Sequence, residues 1–445
     1  MPLDDTWVTP NDPDYGKQWG LEMVRAEEAW KIEKGSPEIV VAVIEGGFDL
    51  HHPDLEGQCL EPYDATGGYE RSGKKTPRDH GSHVCGIIAA KGNNGIGIVG
   101  LAPQCRLLPI LMGASNDEAS LAGGIRHAVK VGARVINLSA ACYFNPVKVH
   151  GQRPERTIHK KMWTPPPSVQ LLEAIYEADQ AGVVLACTVS NNENNNSIHW
   201  PSAVDVMLRV TAVNRDGKKS NFACFGDGVE VAAPAGQRSV PYPSDVKDDM
   251  GIYSTIGNAG YRYWAGTCQA VPHVSALAAL IFSRHPEFTS EEVRQIIRNT
   301  ANGYGWNPYL GHGVIDAGKA LAYDEPVPDL AISPEDISVN YENACYRDPG
   351  ATVTVNVDVR NDGPIDSGKV LVALYEGIPD DGGYMLGYHY VKVRGLEATA
   401  VEFHTGLDAG EHTLSVLVDP FGKLPASKRS RGEIYAKACT KCVIG

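Results

Sequence analysis

Three residues at element boundaries have chemistry to offer: a cysteine, a histidine and a glutamate. The cysteine lies in Ala265-Gly-Thr-Cys-Gln-Ala-Val-Pro-His-Val-Ser-Ala-Leu-Ala-Ala-Leu-Ile-Phe282. A small, glycine-flanked turn delivers Cys268 to the start of a run too apolar for a surface helix, so a buried helix is expected. Pro272 suits its first turn, where a missing N–H costs little. The positive end of the helix dipole and the free N–H groups there favour thiolate, which is the reactive form. The plain alternative is a small core residue, because free cysteines are usually buried and inert.

The histidine lies in Arg78-Asp-His-Gly-Ser-His-Val-Cys-Gly-Ile-Ile-Ala-Ala90. His80 and His83 open an apolar helix whose glycines allow close backbone approach. No matching ligand cluster accompanies them, so the spacing points to a general base rather than a metal site. The glutamate, Glu45, ends the β-branched run Ile39-Val-Val-Ala-Val-Ile44 and precedes Gly46-Gly47. Such a run reads as a strand buried on both faces of a parallel sheet. A carboxylate at its C-terminal end stands where α/β folds place their chemistry. Otherwise it is a solvated loop glutamate.

These residues need a scaffold, and the pattern supplies one. Further strands are expected at 106–111, 134–139, 183–187, 207–213 and 229–233, and helices at 24–31, 119–131 and 169–181. Thr289-Ser-Glu-Glu292 is a capping box that opens a helix to residue 300. The alternation implies an α/β fold with a parallel sheet and helices on both faces. Residues 143–167 interrupt it with a long basic segment ending in Pro165-Pro-Pro167, a loop of a length that is usually functional or disordered.

The texture changes near residue 324. Strictly alternating strands follow at 352–359, 369–375, 400–404 and 413–419, as in an all-β sandwich. The expected division is residues 1–323, a linker at 324–328, and a second domain at 329–445. Cys439-Thr-Lys-Cys442 has metal or redox spacing, but a lone pair of this kind is more simply two free thiols.

Bulk properties narrow the function. The 445 residues are 43% hydrophobic and 21% charged, an ordinary globular balance. The formal net charge of -14 disfavours nucleic acid as a partner. No apolar run is long enough to span a bilayer. Met1-Pro-Leu-Asp-Asp-Thr-Trp7 lacks the basic and apolar regions of a signal peptide. Most of the 10 cysteines sit in apolar runs, which reads as reduced core cysteine and a cytoplasmic compartment.

Val41-Ala-Val-Ile-Glu-Gly-Gly47, His80-Gly-Ser-His-Val-Cys-Gly86 and Gly266-Thr-Cys-Gln-Ala-Val-Pro-His-Val274 resemble the three active-site blocks of subtilisin-like proteases. They come in that family's order of acid, histidine and nucleophile. Val189-Ser-Asn-Asn192 falls where the family carries its oxyanion asparagine. This implies Asn191 in that role, with Asn192 as the alternative because Ser190 replaces a family glycine. The match covers roughly residues 9–323. Two departures stand out: Glu45 replaces an aspartate and Cys268 a serine.

The resemblance implies an endopeptidase. Glu45 would orient His80, His80 would take the proton from Cys268, and a thioester acyl-enzyme would form. Oxyanion donation by Asn191 and the Cys268 N–H is worth about 3 kcal/mol per donor. The substrate, a peptide or protein, would lie extended between 112–116 and 139–141, engaging Met112, Gly113, Ala114, Ser139, Ala140 and Ala141. Two other outcomes of the altered set are a pseudoprotease that only binds peptides and a transpeptidase or macrocyclase. The resemblance also implies a structural Ca²⁺ held by side-chain oxygens of Asp12, Asp54 and Asn94 and carbonyls of Gly92, Ile96 and Ile98. The C-terminal sandwich resembles immunoglobulin-like, adhesion-type modules of secreted proteins, which makes a secreted mature form the alternative to the cytoplasm. It and the basic segment 143–167 are the candidate surfaces for a protein partner.

Overall fold

A computed structural model of the chain describes residues 6–67, 79–113, 118–139, 168–191, 201–202, 204–238, 250–303, 305–322, 328–340, 351–378, 383–407, 410–418 and 436–444. The basic segment 143–167 and Ala114, Ala140, Ala141 and Asn192 lie outside the described residues. The chain forms two compact units, Met1–Tyr323 and Asp324–Gly445.

In the first unit two short helices, α1 (Trp19–Met23) and α2 (Ala26–Trp30), lead to β1 (Val40–Glu45). There follow β2 (Tyr63–Asp64), α3 (His80–Ala89), β3 (Arg106–Leu111), α4 (Glu118–Val131), β4 (Val135–Leu138), α5 (Val169–Gln180), β5 (Val184–Thr188), β6 (Leu208–Val213) and β7 (Val231–Pro234). A hairpin of β8 (Ile252–Ile256) and β9 (Gly260–Trp264) comes next, then α6 (Thr267–Arg284), α7 (Ser290–Asn299) and α8 (Ala317–Leu321). Thr289 closes the expected capping box on α7.

Among the described residues, seven strands form one parallel sheet in the order β2-β3-β1-β4-β5-β6-β7. The chain leaves β1 first toward β3 and later toward β4, so the order reverses beside β1. The C-terminal rim at such a reversal is an open crevice between diverging loops. Strand alternation then decides what faces where. Ala42 and Ile44 of β1 join the apolar cluster with Leu121 and Ile125 of α4 and Leu171 and Ile175 of α5. Val41, Val43 and Glu45 therefore face the opposite side, where α3 and α6 pack. The continuous β-branched run is explained by helices on both faces, each removing apolar surface from water.

The second unit begins with β10 (Leu330–Ala331), β11 (Ile337–Asn340), β12 (Ala351–Asn361) and β13 (Lys369–Glu376). It continues with β14 (Tyr384–Lys392), β15 (Ala398–Leu407), β16 (Gly410–Val418) and β17 (Ala436–Ile444). β12 pairs antiparallel with β10, β11 and β15, and a second antiparallel sheet runs β14-β13-β16-β17. Val353, Val355 and Val357 of one sheet and Val370, Val372, Leu414 and Val416 of the other share one core. Cys439 and Cys442 fall on β17, opposite Ser415 and His412.

Candidate functional site

Glu45 is the last residue of β1 on the α3/α6 side and is 4% exposed. His80 is the first residue of α3, and Cys268 is the second of α6. Their helices begin at the same rim. His80 Nδ1 donates to Glu45 Oε2 at 2.9 Å, and the Gly46 N–H donates to the same oxygen at 3.0 Å. Glu45 Oε1 is buried and makes no hydrogen bond among the described residues. Gly81 lets the loop after β1 close on α3, because a Cβ there would meet the Gly47 carbonyl at 2.5 Å and the Phe48 ring at 2.6 Å.

Burial alone would push the His80 imidazole down. The Glu45 charge, with hydrogen bonds to Cys268 and Glu45, outweighs that and holds it well above the ordinary imidazole range. Glu45 and Cys268 thus both favour the protonated ring of His80. The side chain of Cys268 is partly exposed.

Asn191 follows β5 and serves the nucleophile twice. Its Oδ1 accepts from the Thr267 N–H at 2.8 Å and from Thr267 Oγ1 at 2.9 Å, capping α6 from another segment. Its Nδ2 points at Cys268 Sγ at 3.8 Å. The Cys268 N–H is another orphan donor of that helix end. Ser190 holds φ at 90°, left-handed backbone that a glycine adopts freely and a serine only with strain.

Pro272 is the sixth residue of α6, in the second turn rather than the first. Capping by Asn191 starts the helix at Thr267, earlier than the proline suggests. Lacking an N–H, Pro272 cannot donate to the Cys268 carbonyl. Ser139 Oγ donates there instead at 3.0 Å. Asn137 Nδ2 donates to Ser139 Oγ at 2.9 Å and Ser275 Oγ to Asn137 Oδ1 at 2.9 Å. The hydroxyl of Ser139 is therefore committed to the nucleophile helix, whereas the strand-addition role expected of Ser139 would use its backbone. Met112 likewise packs its side chain in the core, and its N–H continues the sheet to the Glu45 carbonyl at 3.0 Å. Gly113 is partly exposed at that rim.

The β8–β9 hairpin was not anticipated. Its signal is the β-branched and aromatic content of Ile252-Tyr-Ser-Thr-Ile256 and Gly260-Tyr-Arg-Tyr-Trp264. It clasps α3: His83 Nε2 lies 3.1 Å from both the Ile252 and Arg262 carbonyls, and Ser254 Oγ donates to the His83 carbonyl at 2.7 Å. Burial, with a smaller push from the charge on His80, lowers His83 to about 3.

The expected calcium ligands, from three segments of the chain, come together around the loop after α3. Asp12 and Asp54 are 4% and 0% exposed. Asp12 accepts from the Asn93 and Asn94 N–H groups at 2.7 and 3.2 Å. Asp54 Oδ2 accepts from the Ile98 N–H at 2.9 Å and Tyr261 OH at 2.8 Å, and its Oδ1 from Asn94 Nδ2 at 2.9 Å. Burial, and the nearby charge of Asp54, raise Asp12 above the usual carboxylate range despite its backbone donors. The Gly92, Ile96 and Ile98 carbonyls, unlike that of Gly97, accept no hydrogen bond among the described residues. Two buried carboxylates with neutral donors and three unpaired carbonyls fit a hard cation. Asn94 as placed offers nitrogen, since its Oδ1 accepts from the Ile96 N–H at 2.8 Å; a ligating oxygen requires its amide turned over. No group of three His, Cys, Asp or Glu side chains among the described residues could hold a metal by itself.

The comparisons agree with this geometry. Residues 36–313 match the model of the subtilase family, peptidase S8. The chain is 32% identical over 324 residues to a thermophilic serine proteinase of Bacillus sp. (strain AK1), covering 71% of this chain and 70% of that protein. It is 30% identical to thermitase of Thermoactinomyces vulgaris, covering 71% of this chain and 100% of thermitase. A solved structure from Pseudoalteromonas arctica PAMC 21717, described as proteases, superposes with a TM-score of 0.58 at 26% identity, over 71% of this chain and 99% of that one. The first unit has the subtilisin-like fold, and the chain belongs to the subtilase family.

Proposed function

We propose that the chain is an endopeptidase that cleaves extended peptide segments with Cys268 as nucleophile. Family membership supports a peptidase. The finer reading rests on one observation: His80 bonds Glu45 at 2.9 Å and reaches Cys268, whose sulfur lies 3.8 Å from Asn191 Nδ2.

The Cys268 thiolate attacks the scissile carbonyl carbon, and the carbonyl π pair moves to oxygen. Asn191 Nδ2 and the Cys268 N–H donate to that oxyanion. The imidazolium of His80 gives its proton to the leaving amine as the C–N bond breaks, leaving a thioester. Neutral His80 then takes a proton from water, whose oxygen attacks the thioester, and returns it to the departing sulfur. Glu45 keeps the ring oriented and stabilises its cation throughout.

Stoichiometric iodoacetamide, followed by mapping of the labelled peptide, tests this. Cys268 should label first and peptidase activity should fall in step; Cys268→Ala should abolish both. Labelling of Cys268 no faster than the other thiols, with no turnover of a peptide library, overturns the reading in favour of a peptide-binding pseudoprotease. Product masses in the presence of added amine distinguish hydrolysis from transpeptidation.

We further propose a structural Ca²⁺ held by Asp12, Asp54 and the Gly92, Ile96 and Ile98 carbonyls, with a turned Asn94. It would tie the loop after α3 to the N-terminal segment and take no part in the chemistry. The C-terminal unit is proposed to be immunoglobulin-like, supported by its two antiparallel sheets around one core. It and segment 143–167 remain the proposed protein-contact surfaces. A cytoplasmic location is supported by free thiols at Cys59, Cys85, Cys105, Cys187, Cys224 and Cys268.

A further inference from the structure

Trp264 ends β9, four residues before the nucleophile, and its indole stacks on two histidines of α3. The His80 ring centroid is 5.8 Å away with planes 26° apart, and that of His83 is 4.9 Å away with planes 23° apart. The two imidazoles are not equivalent. His83 is fully buried, its Nε2 faces two backbone carbonyls, and its Nδ1 has no partner among the described residues. A second proton on His83 would have nothing to bond, so that ring stays neutral. His80 has a partner for both N–H groups, Glu45 on Nδ1 and Cys268 on the other nitrogen. Under this indole only His80 can carry the charge.

A cation within about 6 Å of an indole centroid is attracted to its π face. The backbone holds the indole there: Trp264 pairs with Ile252 in the hairpin that clasps α3. We propose that Trp264 is a positioning residue of this site. Its indole face holds the His80 ring against Glu45 and favours imidazolium over neutral imidazole, so that Cys268 is kept as thiolate. This rests on the cysteine-nucleophile reading above. The charged and titratable groups facing His80 are Glu45 from β1, Cys268 from α6 and His83 from its own helix; His273 of α6 faces His83.

The physical logic is specific to a thiol. A serine nucleophile rests uncharged beside a neutral histidine, and a face that favours the cation gives that resting pair nothing. A thiolate–imidazolium pair is charged at rest, so every contact that favours the imidazolium also raises the thiolate fraction.

The test reads Cys268 alkylation by iodoacetamide as a function of pH, which needs no substrate. In the wild type the profile should show a limb on the alkaline side, where His80 gives up its proton beside the thiolate. Trp264→Leu should move that limb down by about 0.5 pH unit or more, roughly a threefold loss in the proton affinity of His80, because the cation has lost the face that favours it. Trp264→Phe should recover much of the shift. Fluorinated tryptophans keep the ring's size and weaken its π face, so incorporating them should move the limb progressively in a protein that still folds. An unmoved limb in folded Trp264→Leu or fluorinated protein overturns the inference while leaving the nucleophile reading intact. A wild-type Cys268 that labels no faster than the buried thiols overturns both.

Discussion

Ser139 supplies, through its Oγ, the 3.0 Å hydrogen bond to the Cys268 carbonyl that Pro272 cannot make. The nucleophile's helix thus has its second turn completed by the end of β4. This pairing gives a reversible test. Ser139→Ala leaves a partly buried carbonyl without this bond and also frees the buried Asn137 Nδ2, so unfolding stability should drop by about 1–3 kcal/mol. Pro272→Ala restores the backbone donor, so the double variant should be more stable than Ser139→Ala alone. Denaturant midpoints of the four proteins measure this coupling. An additive pair would mean that the two residues act independently.

Glu45 sets the position of His80 through a single oxygen. Glu45→Asp shortens the acid by one methylene and should withdraw it from Nδ1. A misplacement of about 1 Å costs about a hundredfold, so kcat/KM should fall by about that factor in the Cys268 protein. Glu45→Gln keeps the length and removes the charge that favours imidazolium, and should cost at least as much. The fall is expected because the longer acid brings His80 toward the larger sulfur of Cys268; a gain in rate for Glu45→Asp would refute that adjustment.

Asn191 both caps α6 and donates toward Cys268, and two substitutions separate these roles. Asn191→Ala should lose about 1 kcal/mol of stability from the cap and about 10²–10³ in kcat from the oxyanion donor. Asn191→Asp keeps an acceptor for Thr267 and removes the donor, so kcat should fall at least as far while thermal stability stays closer to wild type. Melting curves beside kcat decide it; equal destabilisation by both would show that the cap is not the acceptor's work.

Two buried histidines fix the direction of acid sensitivity. Burial lowers His83 to about 3 and His273 to about 4. Unfolded, each takes a proton near pH 6.5, well above its folded value. The unfolded state therefore binds more protons between those limits, and stability falls as pH drops below about 6.5. Each contributes a slope of about 1.4 kcal/mol per pH unit, reaching down to about pH 4 for His273 and about pH 3 for His83. His83→Gln keeps a donor for the Ile252 and Arg262 carbonyls and cannot titrate. Urea unfolding from pH 7 to 4 should therefore be flatter in that variant, and an unchanged slope would exclude His83 as the sensor.

Glu45, His80 and Cys268 were legible because each sits inside a strongly patterned segment. β1 is a β-branched run, and both helices open with small residues before an apolar stretch. Residues whose roles depend on distant partners were not. Pro272 marks a helix start in isolation, and only Asn191, 76 residues away, shows that α6 begins a turn earlier. The second role of Ser139, as a partner of the nucleophile helix, shows only once its distance to the Cys268 carbonyl is known. Tyr261 and Trp264 sit in a hairpin of ordinary alternation, and what singles them out is contact with Asp54 and His80.

The loop around Asp54 gives the last prediction. Asp12 and Asp54 are buried near one another with only neutral donors, and three carbonyls beside them accept no hydrogen bond among the described residues. Such an arrangement is stable in proportion to what neutralises it. A cation bound at a hundred times its dissociation constant adds about 2.7 kcal/mol, which for a unit of this size is a rise of about 4 °C in Tm. Chelation should remove that rise, and added Ca²⁺, but not Mg²⁺, should restore it, because the flexible carbonyl cage suits the larger ion. Asp54→Asn should melt lower and lose its response to chelator. Tyr261→Phe removes only a neutral donor to Asp54, so it should keep the response. If chelator leaves wild-type Tm unchanged while Asp54→Asn still melts lower, the two carboxylates are held by their hydrogen bonds alone and the loop carries no ion.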